Sequence, residues 1–291
     1  MDMNNYMERS TAIVEALPYI QKYYGKTVVI KYGGNAMISE ELRRAVISDI
    51  ILLNLVGVRV VVVHGGGPEI GAMLEKIGKQ SRFVDGLRYT DEETMDIVQQ
   101  VLCGKVNKNM VSIINNLGGR AIGLCGLDGA LFQAKKLDEK YGLVGKIVKV
   151  SPQVVEDVLA TGYIPVISTV GCGENGETYN INGDTAAACV AGALGAERLI
   201  LMTDIAGILR DPKDPSTLIP ELTRKQAQTL RAEGVISGGM IPKVECCIRA
   251  IDEGVSKVII MDGRVPHSIL MELLTDEGAG TMLTREGEKR K

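Results

Sequence analysis

Two lysines and three glycine clusters are the residues of this 291-residue sequence whose types and spacing could do chemistry. Lys31 stands near the end of an apolar run, Lys26 to Tyr32, that passes straight into Gly33-Gly34-Asn35. A second run, Val58 to Val63, passes into His64-Gly65-Gly66-Gly67-Pro68. Each reads as a strand that ends in glycines and hands over to a helix, which aims bare backbone N–H groups at an anion above the sheet. A strand-end lysine is ordinarily a solvated surface residue, but the adjoining glycines weigh against that here. Three consecutive glycines each carry a folding-entropy cost that a simple turn does not need, so close approach of a ligand to backbone is the better reading. Gly238-Gly239-Met240-Ile241-Pro242-Lys243 is a third glycine-rich opening of a helix, with proline near its first turn. A lysine there opposes the helix dipole, and an anion nearby would resolve the conflict. The set reads as a site that grips and transfers phosphate.

Other residues fit such a site. Arg88 follows a Gly86 turn and precedes a helix cap, where a guanidinium suits two-pronged recognition of a carboxylate. In Asn180-Ile181-Asn182-Gly183-Asp184, alternation puts both asparagines on one face of an extended segment. An N-cap role would explain Asp184 without any further function, yet the two amides leading into it suggest a polar pocket. Thr203-Asp204-Ile205-Ala206-Gly207-Ile208-Leu209 follows the strand Arg198 to Met202 at its carboxyl end, the edge where open α/β sheets bind ligands. Better-known phosphate signatures fail. Gly25-Lys26-Thr27 precedes its strand and has Ile20 where a P-loop has its first glycine. Gly171 to Gly176 has dinucleotide glycine spacing but no helix after it, so it reads as a tight turn. The His-Arg-Asp and Asp-Phe-Gly elements of protein kinases do not occur.

The elements that must position these residues alternate. Residues 8 to about 23 have the apolar spacing of an amphipathic helix, interrupted by Pro18 and closed by Gly25. Strand 26–32, helix 39–56, strand 58–63 and helix 68–77 follow. Thr90 and Glu93 form a capping pair that opens a helix to about Leu117, with a break expected near Gly104. Strand 120–124, a hairpin-like region at 131–150, helix 152–160 and strand 163–170 come next, then a turn-rich segment, 171–183. Helix 184–194, strand 198–203, a Pro-rich loop at 211–220, helices 223–233 and 241–253 and strand 257–262 complete the pattern. Strands separated by helices predict an α/β protein with a mostly parallel sheet covered on both faces.

Composition narrows the class. A hydrophobic content of 45% supplies a sizeable core, and 33 basic against 36 acidic residues leave no basic stripe for nucleic acid. Cys103, Cys125, Cys172, Cys189, Cys246 and Cys247 lack metal-ligand spacing and read as reduced core residues. No uncharged stretch approaches bilayer length and no leader-like N-terminus is present, so a cytoplasmic protein without membrane contact is expected.

Taken together, these motifs, in this order and over nearly the whole chain, resemble the amino-acid-kinase superfamily and within it the arginine-sensitive N-acetyl-L-glutamate kinases. The resemblance implies an open αβα sandwich of carbamate-kinase-like fold, with an N-terminal helical arm (1–24), a substrate lobe (about 25–194) and a nucleotide lobe (about 195–291). It implies ATP with its magnesium as phosphoryl donor and phosphorylation of the γ-carboxylate of N-acetyl-L-glutamate, a step of arginine biosynthesis. Position by position, Lys31 and Lys243 would stabilise the transferring phosphoryl group and Asp184 would hold them in place. Gly66, Gly67, Arg88 and Asn180 would bind acetylglutamate, with Arg88 on its α-carboxylate. Gly33, Gly34, Thr203, Asp204, Gly207, Ile208, Leu209 and Met240 would line the nucleotide site.

The resemblance also implies feedback inhibition by L-arginine and a hexamer, a trimer of dimers interlaced through the arm. Tyr19, Arg198, His267, Glu272 and Gly280 fall in the arginine-site region, with Arg198 where relatives often carry lysine. A nitrogen-signalling protein is a further possible partner. Two alternatives stand beside this reading: a kinase for a related carboxylate such as aspartate or an aminoadipate derivative, and a catalytically silent arginine-sensing protein or the kinase-like regulatory portion of an acetylglutamate synthase. Retention of both lysines and Asp184 argues against silence, and an end at Lys291 leaves no space for an acetyltransferase domain.

Overall fold

A computed structural model describes residues 10–34 and 39–285. Asn35 and residues 8 and 9 of the expected arm helix lie outside them. The chain order is α1 (Leu17–Tyr23), β1 (Thr27–Tyr32), α2 (Glu40–Leu55), β2 (Arg59–His64), α3 (Gly67–Lys76), β3 (Phe83–Val84), β4 (Leu87–Arg88), α4 (Glu92–Gln99), a π-helical segment (Gln100–Val106) and α5 (Asn107–Asn116). There follow β5 (Ala121–Cys125), β6 (Phe132–Lys136), β7 (Val144–Val150), α6 (Gln153–Ala160), β8 (Ile164–Ser168), β9 (Val170–Cys172), β10 (Thr178–Ile181) and α7 (Gly183–Ala193). The last third holds β11 (Arg198–Thr203), β12 (Glu221–Thr223), α8 (Arg224–Ala232), α9 (Met240–Asp252), β13 (Lys257–Asp262), α10 (Ser268–Leu274) and β14 (Gly280–Thr284).

An eight-stranded sheet runs β12-β14-β13-β11-β1-β2-β8-β5. From β13 to β5 every neighbouring pair is parallel, and β14 turns antiparallel at the far side. The sequence of β1, Thr-Val-Val-Ile-Lys-Tyr, is nearly all apolar because both faces of a parallel sheet are covered. Alternation divides it: Val28 and Ile30 pack into the core on the α2 and α5 side, Val29 into the one on the α7 and α9 side. Lys31 shares the parity of Val29 and so faces α7. In that helix Ala186, Ala187, Ala188 and Ala191 are fully buried, side chains small enough to let it lie close on β1, β2 and β11.

Strand order reverses at β1, which has β2 on one side and β11 on the other, so a crevice opens above the carboxyl ends of these strands. Beside it β10, β7, β6 and β9 close into a small barrel, and β10 delivers Asn180 to the crevice before α7 begins.

Four expectations change. The cap of α4 is Asp91, whose Oδ1 accepts from Thr94 N at 2.8 Å, and not Thr90, whose hydroxyl instead donates to the Arg88 carbonyl. The segment expected as turns, 171–183, contains β9 and β10 paired antiparallel, with the Gly173–Gly176 turn between them. Gly104 does not break its helix: the π segment carries the helix through, because one wider turn absorbs the mismatch. Beyond residue 262 the sheet continues through α10 and β14, and β14 pairs with the short β12. The arm is helical over residues 10–15 and again from Leu17, with Pro18 in the first turn of α1.

Candidate active site

Asp184 is the centre of the crevice. Its oxygens lie 3.1 Å from Lys31 Nζ and 2.7 Å from Lys243 Nζ, on side chains 153 positions and 59 positions away in the chain. It does not cap its helix. Asn182 does so, its Oδ1 accepting from Thr185 N at 3.0 Å, which leaves the Asp184 carboxylate in the first turn free to bridge the lysines. Burial alone would push the Asp184 carboxyl up, but the two ammonium groups outweigh it and hold it down at about 2. Lys31 is not the solvated residue that a strand end usually carries; only 13% of its side chain is exposed. Gly33 lies against it, since a Cβ there would come within 2.7 Å of Lys31 Nζ. Lys243 sits one turn into α9, after Gly238 in a left-handed conformation at φ +53°.

Two cavities flank this ion triad. One of about 470 Å³ is lined by Lys31 and Lys243 and by an apolar wall of Met202, Ile208, Leu209, Val235 and Met240. Gly34, Thr203, Asp204 and Gly207 also line it, so seven of the eight expected nucleotide residues meet here, and Gly33 is the one that does not. Gly34, at φ +71°, brings its backbone so close to Asp204 that a Cβ would lie 2.7 Å from Oδ1.

The other cavity, of about 320 Å³, is lined by Gly65, Gly66, Gly67, Arg88, Asn180 and Asn182 among others, which unites all four expected substrate residues. Arg88 is fixed by Nη2 donating to the Gly67 carbonyl at 2.9 Å, by a hydrogen bond to Ser81 Oγ and by the Phe83 ring 4.8 Å beneath it. Asn180 Nδ2 donates to Thr90 Oγ1 at 3.2 Å, and that hydroxyl donates to the Arg88 carbonyl at 2.8 Å. Gly183 lines this second cavity, and a Cβ on it would lie 3.4 Å from Cε of Lys31, which lines the first. An anion in one cavity and an anion in the other would therefore meet beside the two lysines.

Residues 26–262 match the amino acid kinase family. The acetylglutamate kinase of Clostridium beijerinckii is 56% identical over 284 residues, which are 97% of this chain and 100% of that protein. The chain belongs to the amino acid kinase family, on its acetylglutamate kinase branch. Solved structures agree on the fold of this kinase. N-acetylglutamate synthase from Neisseria gonorrhoeae, complexed with coenzyme A and N-acetyl-glutamate, superposes with a TM-score of 0.83 at 27% identity, covering 96% of this chain and 64% of that one. The same synthase complexed with coenzyme A and L-arginine gives 0.80 at 26% identity, covering 95% and 65%. The kinase thus spans about 64% of the synthase chain. Giardia carbamate kinase, at 17% identity, superposes with a TM-score of 0.68 over 90% of this chain and 99% of its own.

None of the five residues expected at an arginine site lines either cavity. Tyr19 bonds Asp276, and Arg198 is buried with Nη1 2.9 Å from Glu197 Oε1 and the Tyr23 ring 5.3 Å from its guanidinium. Glu272 accepts from Ala279 N at 2.7 Å, immediately before Gly280 opens β14. His267, left-handed at φ +59°, holds Asp49 of α2 at 2.6 Å. The sequence reading left out Asn182 as the cap and Asn107 behind the glycine loop. Asn182 carried a signal, two residues before an acidic first turn, but Asn107 carried none.

Proposed function

We propose that Lys31, Lys243 and Asp184 are the catalytic residues of an ATP-dependent transfer of the γ-phosphoryl group to the γ-carboxylate of N-acetyl-L-glutamate. The convergence of both ammonium groups on one buried carboxylate, between two cavities, is the observation that carries this reading. The acceptor is ionised near neutral pH, with a reference pKa of about 4.3, so no general base is required. The obstacle is the approach of one anion to another. Alignment and positive charge overcome it: a carboxylate oxygen forms a bond to the γ-phosphorus as the β,γ-bridging bond breaks, and ADP leaves with that electron pair. Lys31 and Lys243 neutralise charge on the phosphoryl oxygens, and Asp184 keeps both ammonium groups aimed at the point of transfer. Arg88 takes the α-carboxylate, Asn180 and the N–H groups of Gly66 and Gly67 orient the rest of the acceptor, and the apolar cavity takes the adenine. Magnesium arrives as part of the nucleotide substrate.

The deciding assay measures ADP release with ATP and N-acetyl-L-glutamate, aspartate, glutamate or carbamate as acceptor. Turnover on acetylglutamate well above the rest is expected; a preference for another acceptor overturns the reading.

Inhibition by L-arginine and assembly through the arm belong to the same proposal. The arginine-bound synthase supports the first. The second is supported by Ile13, Val14 and Leu17, whose side chains stay exposed on the arm. Size-exclusion chromatography with and without residues 1–24, with an activity titration against L-arginine, tests both. A dimer insensitive to arginine would refute them.

A further inference from the structure

The glycine loop is fastened from behind by His64 and Asn107, which line neither cavity. His64, at the end of β2, is fully buried, and its Nδ1 lies 2.8 Å from the Gly65 carbonyl oxygen. A carbonyl only accepts, so Nδ1 carries the proton and Nε2 presents its lone pair. That lone pair faces Asn107 Nδ2 at 3.1 Å. The same amide nitrogen reaches the carbonyl oxygens of Val166 at 2.8 Å and Leu124 at 3.2 Å, on β8 and β5. Burial pushes the imidazole pKa down to about 4 against the pull of the Gly65 hydrogen bond, so the ring is neutral at neutral pH. Protonated, Nε2–H would point at the Asn107 N–H groups, donor against donor.

The helix that supplies Asn107 is built to reach this loop twice. Leu102 and Asn107 are five residues apart, which in an α-helix would place them about 140° apart around the axis. The π segment widens the turn to an i, i+5 repeat and brings both to the same side. Leu102 packs under Gly66, where a Cβ would come within 2.6 Å of its Cδ2. Asn107 has its own fitted seat, since a Cβ on Gly123 would lie 1.9 Å from Oδ1.

We propose that His64 and Asn107 are positioning residues for the acceptor: acting through the Gly65 carbonyl, they fix the tilt of the Gly65–Gly66 peptide and with it the direction of the loop N–H groups. This rests on the glycine loop being the acetylglutamate cradle proposed above. A peptide plane free to rock would misalign the acceptor while leaving the nucleotide cavity intact.

The test is steady-state kinetics on the full chain, with folding followed by circular dichroism and thermal melting. His64→Leu is expected to raise the KM for acetylglutamate about 10-fold and to lower kcat, with the KM for ATP unchanged. His64→Asn, whose amide nitrogen overlays Nδ1 and donates to Gly65, recovers most of the loss. Gly123→Ala, which displaces Asn107 through β5 without touching the loop, reproduces the rise. An acetylglutamate KM within about twofold of the parent in Gly123→Ala overturns the proposal, as does a His64→Asn enzyme no better than His64→Leu. If His64→Leu does not fold, the acetylglutamate KM of Gly123→Ala decides. A parent enzyme inactive on acetylglutamate would instead sink the substrate assignment on which this inference rests.

Discussion

On one side of Asp184 the cavity has an apolar wall of Met202, Ile208, Leu209, Val235 and Met240, while the other sets the glycine backbone of Gly65 to Gly67 and the polar groups of Arg88, Asn180 and Asn182 among apolar neighbours such as Phe83 and Leu102. The first is suited to hold an occupant by burial, which is non-directional and tolerates small changes of shape. The second offers N–H groups and a guanidinium, whose strength depends on angle and distance. A large flat base suits the former and a small dianion suits the latter. The lysines stand at the boundary, one on a strand tip fixed by register and one on a helix that follows a glycine-rich loop. On the function proposed above, discrimination among acceptors belongs to the side of the glycine loop, and rate belongs to the boundary.

Substitutions can break this division of labour. The largest effect is expected at the boundary. Lys31→Ala and Lys243→Ala should each lower kcat by about 10²–10³-fold, on the order of 3–4 kcal/mol, with little change in acetylglutamate KM. Normal turnover in either would remove that lysine from the mechanism.

Acid sharpens the contrast, because the backbone side depends on a buried histidine. The unfolded imidazole, near 6.5, binds a proton that the folded one refuses until about pH 4. Stability is therefore whole above pH 6.5, declines across that window and is lost below it, by at most roughly 3 kcal/mol. Asp184, held at about 2, adds its own loss only below about pH 4. Denaturant melts at pH 7 and 4.5 should differ in the parent and converge in His64→Asn; equal curves in the parent would contradict the buried neutral ring.

Arg88→Lys tests the directional side more gently. A point charge cannot reproduce a two-pronged contact or rest flat on Phe83, so the acetylglutamate KM should rise about 10-fold while the ATP KM holds. An unchanged acceptor KM would assign the carboxylate to another group. Smallest is Gly34→Ala, on the burial side. Its left-handed backbone costs about 1 kcal/mol with a Cβ, and the Asp204 tip can swing aside. A modest rise in ATP KM is expected, and a rise in acetylglutamate KM instead would show that the cavities are not separate.

Much of this was legible in the sequence because it is local. Strand-then-glycine junctions at Tyr32 and His64 and the apolar runs of β1 and β2 each depend on neighbours a few residues away. Elements whose stability comes from distant partners were harder to see. β9 and β10 are short, and they exist because the barrel closes them with β6 and β7. β12 has only three residues and is a strand because β14 lies beside it. The π turn has no period that an α-helical reading would detect.

Residue type and order alone determined that this chain makes a covered parallel sheet with anion-seeking glycine turns and two cations, because alternation and turn chemistry act over short spans of chain. Whether Asp184 caps a helix or ties Lys31 to Lys243 was decided only in three dimensions. The outcome depends on the parity of β1, the close seat of an alanine-rich helix and Asn182 taking the cap, three facts that become one only when the sheet is assembled.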